Sequence, residues 1–379
     1  MKKTLLVTLE FPPDVGGVGR YLVNVARNLP IGRVVVLAAA RGDKQPIDTN
    51  DSYVLYRRRL LTGRWFWPRW LPVLWQTWRI VRRERIEQLL VSHVLPVGTV
   101  AWLLRKMLPY WIIVHGVDVT TPSHPRKRAL IRRVLIHARG VIVNSEFVQR
   151  EVERYGVAAD RITVVTPGVD LPSQERQSRA TTEQKRQALE ERYRLGGRPV
   201  LLTVSRLVKR KGVDTVIRAM PKIVERVPTL VYLIVGTGPE AESLQSLVAE
   251  LHLEAHVLFT GFVPDDDLPL YFERSSVFVM VPRELTDRDV EGFGIVYLEA
   301  NACAKPVIGS RTGGVAEAVV NGVTGLLVEP DQPDAVADAV VRLLNEPAFA
   351  QRLGIQGKTR ALNTFSWKHQ TGRIEALLT

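Results

Sequence analysis

Two glutamates, Glu291 and Glu299, stand in the run EGFGIVYLEA, and glycines follow the first of them. Gly292 and Gly294 have no Cβ, so the backbone there can approach a ligand closely. The apolar residues 295–303 predict a buried helix that begins directly after the glycines. The unpaired N–H groups and positive dipole end of such a helix suit an anionic or hydroxyl-rich ligand. We therefore expect Glu291 in a loop that faces the ligand and Glu299 about two turns along the helix.

Four cations form a second cluster that could bind a ligand. Arg206, Lys209, Arg210 and Lys211 directly follow a predicted strand over 199–204. Arginine can grip a phosphate with two hydrogen bonds, lysine adds a compact charge, and the next helix adds its N-terminus. The cluster predicts an anion-binding site at the end of that strand. The alternative interpretation is a basic turn exposed to solvent.

Glycines and a histidine follow two other predicted strands. Gly16 and Gly17 come after the strand predicted over 4–9, and His115 ends the strand predicted over 111–115. Ligands of open α/β sheets bind where the strands end, so both positions are candidate contacts. The glycine loop is not a Walker loop, because no Gly-Lys-Ser/Thr follows it. Taken alone, the glycines could serve packing and the histidine could be structural.

Four strings together resemble the retaining glycosyltransferases of family 4, which have the GT-B fold. The strings are FPPDVGGVGRY, HGVD, SRL-x3-KG and EGFGIVYLEA. The resemblance implies that the catalytic residues are His115, Glu291, Arg206 and Lys211. It implies donor contacts from Gly16, Gly17, Arg206, Lys211, Glu291, Gly292, Phe293, Gly294, Ile295 and Glu299.

The resemblance also implies a role for each of the main residues. Glu291 would contact the donor sugar, and Glu299 would hold the ribose of the nucleotide. Arg206 and Lys211 would contact the β-phosphate, and His115 would face the sugar hydroxyls. The neighbours of Lys211, Lys209 and Arg210, are expected in solvent. The implied mechanism is a front-face transfer in which the leaving phosphate assists deprotonation of the acceptor.

Length and composition predict two domains and one cellular compartment. A chain of 379 residues is long for a single core and predicts two domains. The resemblance implies that both are Rossmann-like doubly wound α/β domains that face a cleft. The predicted parts are an acceptor domain, a connection, a donor-nucleotide domain and C-terminal helices crossing back, over residues 1–170, 171–197, 198–355 and 356–379. One cysteine excludes a disulfide framework. Without a signal peptide or an apolar span, we expect a cytoplasmic protein, peripheral on the inner face of the plasma membrane.

Residues 57–85 differ sharply from the rest in composition. They hold nine arginines, one acid and five of the eight tryptophans. A helix starting near Pro72 would place Trp75 and Trp78 on one side, with arginines near its end. Indoles beside arginines are typical of a helix on an anionic bilayer, whereas the alternative is a core helix with solvated arginines. The predicted membrane or acceptor contacts are Arg64, Trp65, Trp67, Arg69, Trp70, Trp75 and Trp78.

No metal site is expected. Residues 265–267 and 287–289 both match D-x-D, the metal motif of another glycosyltransferase fold. The first triplet is better interpreted as helix capping and first-turn charge, and the second as a polar loop. Arg206, Lys211 and helix N-termini would supply the positive charge that the leaving diphosphate needs.

These observations predict a retaining transferase that moves a sugar from a nucleotide-sugar to a lipid or glycan acceptor at an anionic membrane surface. The string EGFGIVYLEA together with the arginine and tryptophan segment resembles GDP-mannose-dependent enzymes that mannosylate phosphatidylinositol-type lipids, and the resemblance implies that donor and acceptor. No residue of the sequence by itself distinguishes guanine from uracil. A soluble enzyme that uses a UDP-sugar and a small acceptor is the alternative. The net charge of +13 also leaves open a nucleic-acid-binding α/β protein, although we expect no nucleic acid partner.

Overall fold

The chain forms two compact units. The computed structural model describes residues 1–12, 17–40, 49–50, 52–63, 68–120, 124–169, 179–285 and 289–379. The first unit contains Met1–Gly168 and Trp367–Thr379, and the second contains Val169–Ser366. Each unit is built around its own largely parallel sheet, as the sequence predicts.

The first unit has an eight-stranded sheet. Its strands are β1 (Thr4–Thr8), β2 (Val34–Ala39), β3 (Thr49–Asn50), β4 (Tyr53–Arg58), β5 (Gln88–Ser92), β6 (Tyr110–Val114), β7 (Gly140–Val143) and β8 (Ile162–Val164). Their order is β3-β4-β2-β1-β5-β6-β7-β8, and only the short β3 runs antiparallel to its neighbour. The central strands β1, β5 and β6 are buried along their whole length, which explains why the middle of each strand is apolar.

Helices cover both faces of this sheet. The helices of the first half are α1 (Gly17–Asn28), α2 (Leu71–Glu84), α3 (Val97–Leu104), α4 (Val117–Thr120), α5 (Pro125–His137) and α6 (Glu146–Glu153). Apolar residues of α2, α3, α5 and α6 share one core cluster, and those of α1 belong to another. No helix in the described part of the chain is both long enough and apolar enough to cross a membrane.

The second unit repeats this architecture with six parallel strands. They are β9 (Val200–Val204), β10 (Val231–Val235), β11 (Val257–Gly261), β12 (Val277–Val279), β13 (Val307–Ser310) and β14 (Gly325–Val328). Their order is β11-β10-β9-β12-β13-β14. The helices are α7 (Arg179–Arg192), α8 (Val213–Arg226), α9 (Ala241–Glu250), α10 (Leu268–Arg274), α11 (Ile295–Ala302), α12 (Val315–Ala318), α13 (Pro333–Asn345) and α14 (Pro347–Thr364).

Two predicted boundaries differ from the structure. The described part of the predicted connection, 179–197, belongs to the second unit, because Leu189, Tyr193 and Leu195 are buried in its core. The predicted return to the first unit at residue 356 is also too early, since α14 still packs on α11 of the second unit. The return comes with α15 (Trp367–Leu377), whose Trp367 lies edge-on to Tyr21 of α1 at 5.6 Å between ring centroids.

Candidate active site

The candidate donor site of the second unit lies where three neighbouring strands end. Strands β9, β12 and β13 are adjacent in the sheet and run in the same direction. The loop after β9 holds the cations 206–211, the loop after β12 holds Glu291, and the loop after β13 holds Gly313 and Gly314. Parallel strands bring these loops to one edge of the sheet, where α/β proteins bind their ligands.

A compact charged cluster forms at this edge. The carboxylate of Glu291 accepts hydrogen bonds from Lys211 Nζ at 2.5 Å and from an Arg210 guanidinium nitrogen at 2.7 Å. Arg210 Nε also lies 3.2 Å from a carboxylate oxygen of Asp289. The prediction that Arg210 is solvated was therefore wrong: its side chain is 22% exposed and joins two acids of the following loop. Lys209 is exposed, as expected.

The electrostatics of this cluster leave the acid ionised. Burial alone would raise the pKa of Glu291, but the charges and hydrogen bonds of Lys211 and Arg210 lower it to about 2. Burial lowers the pKa of Lys211 more than Glu291 raises it, and the nearby Arg210 lowers it further. Lys211 and Arg210 share the Glu291 carboxylate, and Arg210 also pairs with Asp289, so the two cations of the cluster face two acids.

Glycines fix the loop that presents Glu291. Gly294 precedes α11 with φ 90°, and a Cβ there would come within 2.6 Å of the Tyr297 ring. The Gly314 N–H donates to the Glu291 carbonyl at 3.0 Å, and a Cβ on Gly314 would collide with the carbonyl of Gly292. These close approaches require glycine because any side chain would push the loop away.

The remaining predicted donor contacts differ in what they can offer a ligand. Phe293 is only 2% exposed and packs on Phe365, so only its backbone is available. Ile295 begins α11, as predicted, and Glu299 lies half-buried on the same helix. Arg206 is exposed and forms no ion pair with another residue in the described part of the chain.

The first unit has its own polar cluster at the ends of adjacent strands. Strands β1, β5 and β6 are neighbours, and Glu10, His93 and His115 follow them. His93 Nε2 lies 3.5 Å from a carboxylate oxygen of Glu10. The hydroxyl oxygen of Ser92 lies 3.0 Å from His115 Nε2 and 3.4 Å from His93 Nδ1. The carboxylate of Asp118 accepts from the backbone N–H groups of Val94 and His115.

His93 was missed by the sequence analysis, although it directly follows strand β5 just as His115 directly follows β6. It adopts a left-handed conformation with φ 79°, which is uncommon for a residue with a side chain and is concentrated at functional sites. Burial and the neighbouring His93 lower the pKa of His115 to about 3, so His115 is neutral. Burial opposes the charge of His93, but Glu10 and Asp118 raise its pKa overall.

The glycine loop of the first unit is only partly described. Gly17 is the first residue of α1, so it stands at the positive end of that helix, as a phosphate contact would require. Gly16 lies outside the described residues.

Helix α2 presents tryptophans at the surface. Trp75 is 53% exposed and Trp78 36%, whereas Val73, Thr77 and Ile80 form the buried face of the helix. Trp70 packs against the core and Arg69 is exposed. Arg64, Trp65 and Trp67 lie outside the described residues.

The exposed indoles of α2 are paired with arginines and border a groove. The guanidinium of Arg79 lies 5.5 Å from the ring centroid of Trp75, and that of Arg82 lies 4.0 Å from Trp78. Beside Trp75, a groove of about 600 Å³ opens at the start of α2, with Arg59 and Leu71 among its lining residues. The surface thus combines apolar rings with fixed positive charge.

Charge is divided unequally between the two units. The first unit has 29 Lys and Arg against 13 Asp and Glu, and the second has 23 against 26. The first therefore has a net charge of +16 and the second −3, which together give the +13 of the chain. All eight tryptophans also belong to the first unit.

The two D-x-D matches have different outcomes. Asp267 precedes α10 but its side chain does not cap the helix; it pairs with Lys185 at 2.6 Å, so the capping interpretation was wrong. Asp289 pairs with Arg210, and Asp287 lies outside the described residues. Within the described ranges, no three His, Cys, Asp or Glu side chains are grouped to hold a metal ion.

Two family models match the chain: "Glycosyltransferase Family 4" over residues 15–172 and "Glycosyl transferases group 1" over residues 185–360. A GDP-mannose-dependent alpha-(1-6)-phosphatidylinositol monomannoside mannosyltransferase of Mycolicibacterium smegmatis is 34% identical, covering 99% of this chain and 97% of the relative. A GDP-mannose-dependent monoacylated alpha-(1-6)-phosphatidylinositol monomannoside mannosyltransferase of Corynebacterium glutamicum is 28% identical. That alignment covers 100% of this chain and 98% of the relative. The structure of sucrose-phosphate synthase from Thermosynechococcus elongatus superimposes with a TM-score of 0.80 at 23% sequence identity, covering 100% of this chain and 98% of that one. This match shows the shared GT-B fold alone.

Proposed function

The chain belongs to glycosyltransferase family 4, and from that membership we propose that it transfers mannose from GDP-mannose to a phosphatidylinositol-type glycolipid with retention of configuration. Glycosyltransferase activity follows from the family itself. The choice of donor and acceptor is supported by two relatives that span nearly the whole chain and whose names specify GDP-mannose and a phosphatidylinositol mannoside.

The observation that carries the proposal is the cluster of Lys211, Arg210 and Glu291 beside the start of α11. Lys211 lies in the turn that directly follows β9, with its ammonium group on the Glu291 carboxylate, where it could also contact the β-phosphate of a nucleotide-sugar. Exposed Arg206 follows the same strand and would close on that phosphate from solvent. The ionised Glu291 would then be free to accept hydrogen bonds from sugar hydroxyls.

Retention is proposed to follow from a front-face transfer. Departure of the nucleotide diphosphate puts negative charge on the β-phosphate, and Arg206 and Lys211 would stabilise it. The leaving phosphate oxygen would take the proton of the acceptor hydroxyl as the new glycosidic bond forms on the same face. We propose that the protein's own cations supply this stabilisation, so that transfer needs no divalent metal.

The acceptor is proposed to bind through the first unit at an anionic membrane surface. A net charge of +16 and the indole–guanidinium pairs of α2 are suited to anionic lipid headgroups. The groove beside Trp75 has the apolar lining and the arginine that an acyl-glycerol phosphate would require. On this view the enzyme works as a peripheral protein on the cytoplasmic face of the plasma membrane.

Transfer assays with defined donors test the proposal. GDP-mannose, GDP-glucose, UDP-glucose and UDP-N-acetylglucosamine would each be offered with liposomes of phosphatidylinositol or phosphatidylinositol mannoside. We expect transfer from GDP-mannose alone, with an α-linked product by NMR. Transfer from a UDP-sugar to a small soluble acceptor would instead establish the soluble alternative, and a β-linked product would refute retention.

Liposome sedimentation tests the membrane surface. Each lysine or arginine near an anionic bilayer contributes about 1 kcal/mol to the free energy of membrane binding. At physiological salt, dissolved ions screen this attraction beyond about 8 Å. We therefore expect sedimentation with anionic liposomes, release by added salt and weaker binding of the variant Trp75→Ser/Trp78→Ser. Exposed Phe262→Ser in the second unit is the matched control and should bind normally. Unchanged sedimentation of the double variant would remove α2 from the membrane contact.

A further inference from the structure

The polar cluster of the first unit contains a chain of hydrogen-bonding groups whose proton positions can be worked out. The chain runs from Glu10 to His93, then to Ser92 and finally to His115, with separations of 3.5, 3.4 and 3.0 Å. Ser92 is fully buried and the His93 side chain is only 15% exposed, so their polar groups depend largely on one another for partners. These groups could not be connected from the sequence alone, because they lie at the ends of three different strands.

The charge of His93 fixes the first part of the chain. Its Nε2 faces the Glu10 carboxylate, which only accepts, so Nε2 bears a proton. Burial opposes the charge of His93, but the hydrogen bond and charge of Glu10 and the charge of Asp118 raise its pKa, which favours the imidazolium. Both ring nitrogens are therefore donors, as in an imidazolium.

The orientation of the Ser92 hydroxyl then follows. Ser92 is fully buried, and its hydroxyl has two partners in the described part of the chain, His93 Nδ1 and His115 Nε2. Since Nδ1 of His93 already bears a proton, the hydroxyl can donate only to Nε2 of His115. A neutral His115 that accepts at Nε2 must have its own proton on Nδ1.

We propose that Glu10, His93 and Ser92 are positioning residues that hold His115 as the Nδ1–H tautomer and so direct an N–H donor at a hydroxyl oxygen of the transferred sugar. The ligand rests on the proposed function, whereas the tautomer rests on the hydrogen-bond geometry and on the charge of His93 beside Glu10. The groups that face the two rings are Glu10 after β1, Asp118 of α4 and Tyr21 of α1, whose ring lies 5.6 Å from that of His115.

The direction of the hydrogen bonds between His93, Ser92 and His115 should reverse when His93 loses its charge. Beside Glu10, neutral His93 would keep the Nε2 proton and leave Nδ1 as an acceptor. The Ser92 hydroxyl could then turn to Nδ1, and His115 would donate from Nε2. Because Glu10 stabilises the cation, the reversal in Glu10→Gln should occur at a lower pH than in the natural chain.

Long-range ¹H–¹⁵N NMR of the full-length, histidine-labelled protein tests the proposal, since it distinguishes the two neutral tautomers. The His115 signal would be assigned by its loss in His115→Asn, and the exposed His124 is an internal reference. We expect the Nδ1–H pattern at neutral pH, a change to Nε2–H as pH rises, and an earlier change in Glu10→Gln. An Nε2–H pattern at neutral pH in the natural chain would overturn the proposal even if transfer from GDP-mannose proceeds.

Activity provides a second readout that a purely structural role would not produce. Ser92→Ala should lower kcat by about tenfold to a hundredfold, the range for residues that orient metal-ligating histidines. It should also change the pH dependence of kcat. Ser92→Thr retains the hydroxyl and should restore both the tautomer and the rate. If Ser92→Ala leaves kcat and the His115 tautomer unchanged, the positioning role is refuted. The Nδ1–H tautomer without any GDP-mannose transfer would instead refute the proposed donor.

Discussion

The ion pair between Lys211 and Glu291 allows a quantitative test of the donor site. The change is a double-mutant cycle with Lys211→Met, Glu291→Gln and the double variant. Each single change leaves a buried charge of the other partner without its counterpart at 2.5 Å. The double change removes both charges, and Arg210 keeps Asp289 as its partner. We therefore expect the sum of the two single losses of stability to exceed the loss in the double variant.

The magnitude follows from the pKa of Glu291. It falls from 4.5 to about 2 in the folded chain, and each pKa unit corresponds to about 1.4 kcal/mol. The charged carboxylate is thus favoured by about 3 kcal/mol, shared between Lys211 and Arg210. We expect a coupling energy of about 2 kcal/mol, within the range for contacting residues. Because the pKa is depressed, this stability is present above pH 4.5 and is lost as the pH falls towards 2.

The assay must observe the second unit. Tryptophan fluorescence does not report unfolding of the second unit, since none of the eight tryptophans lies in Val169–Ser366. Native-state hydrogen exchange by mass spectrometry, read on peptides from β9 and β13, measures the free energy of opening there. Lys209→Met is the matched control, because Lys209 is exposed in the same turn and should cost little. A coupling below about 0.5 kcal/mol, the usual additivity error, would refute the assigned pairing.

Three further predictions concern transfer. Arg206→Ala should lower kcat/KM on the order of a hundredfold through lost stabilisation of the leaving diphosphate, with unchanged hydrogen exchange in β9; near-normal turnover would contradict the phosphate assignment. Arg210→Gln should lower donor affinity and turnover because it removes the ion pair with Asp289 and one hydrogen bond to Glu291. Lys209→Gln should alter neither, and equal effects of the two changes would contradict the different roles given to Lys209 and Arg210. Transfer should continue in excess EDTA, and activity restored only by Mg²⁺ or Mn²⁺ would show that a metal is required.

Much of the fold follows from local sequence patterns. The buried strands of both sheets are apolar runs that end at glycine or charged residues, and the helix after Gly294 begins where the sequence predicts it. Strand β4 was missed because it ends in Arg57 and Arg58, which make a sheet strand look like a basic loop. The unit boundary was misplaced because α7 is a polar helix, and only Leu189 within it and Tyr193 and Leu195 directly after it are buried in the core.

The candidate site could be predicted where one short string contains both the residue and its context. Glu291, Arg206 and Lys211 were found in this way. Arg210 and His93 were not, because their roles depend on partners that are distant in sequence, Glu291 and Glu10. A lone cation in a basic turn and a lone histidine at a strand end are both ordinary, and only the packing of neighbouring strands gives them partners.

Helix α2 shows what spacing can and cannot decide about a surface. The sequence placed Trp75 and Trp78 on one side of a helix, but a core helix would have the same spacing. Small and aliphatic residues, Val73, Thr77 and Ile80, take the buried face, which leaves the indoles outside. Arg82 then lies over the exposed ring of Trp78, so apolar area and positive charge occupy one position on the helix. A helix buried in the core does not require an arginine over an exposed indole, whereas the interface of an anionic bilayer attracts both the indole and the guanidinium.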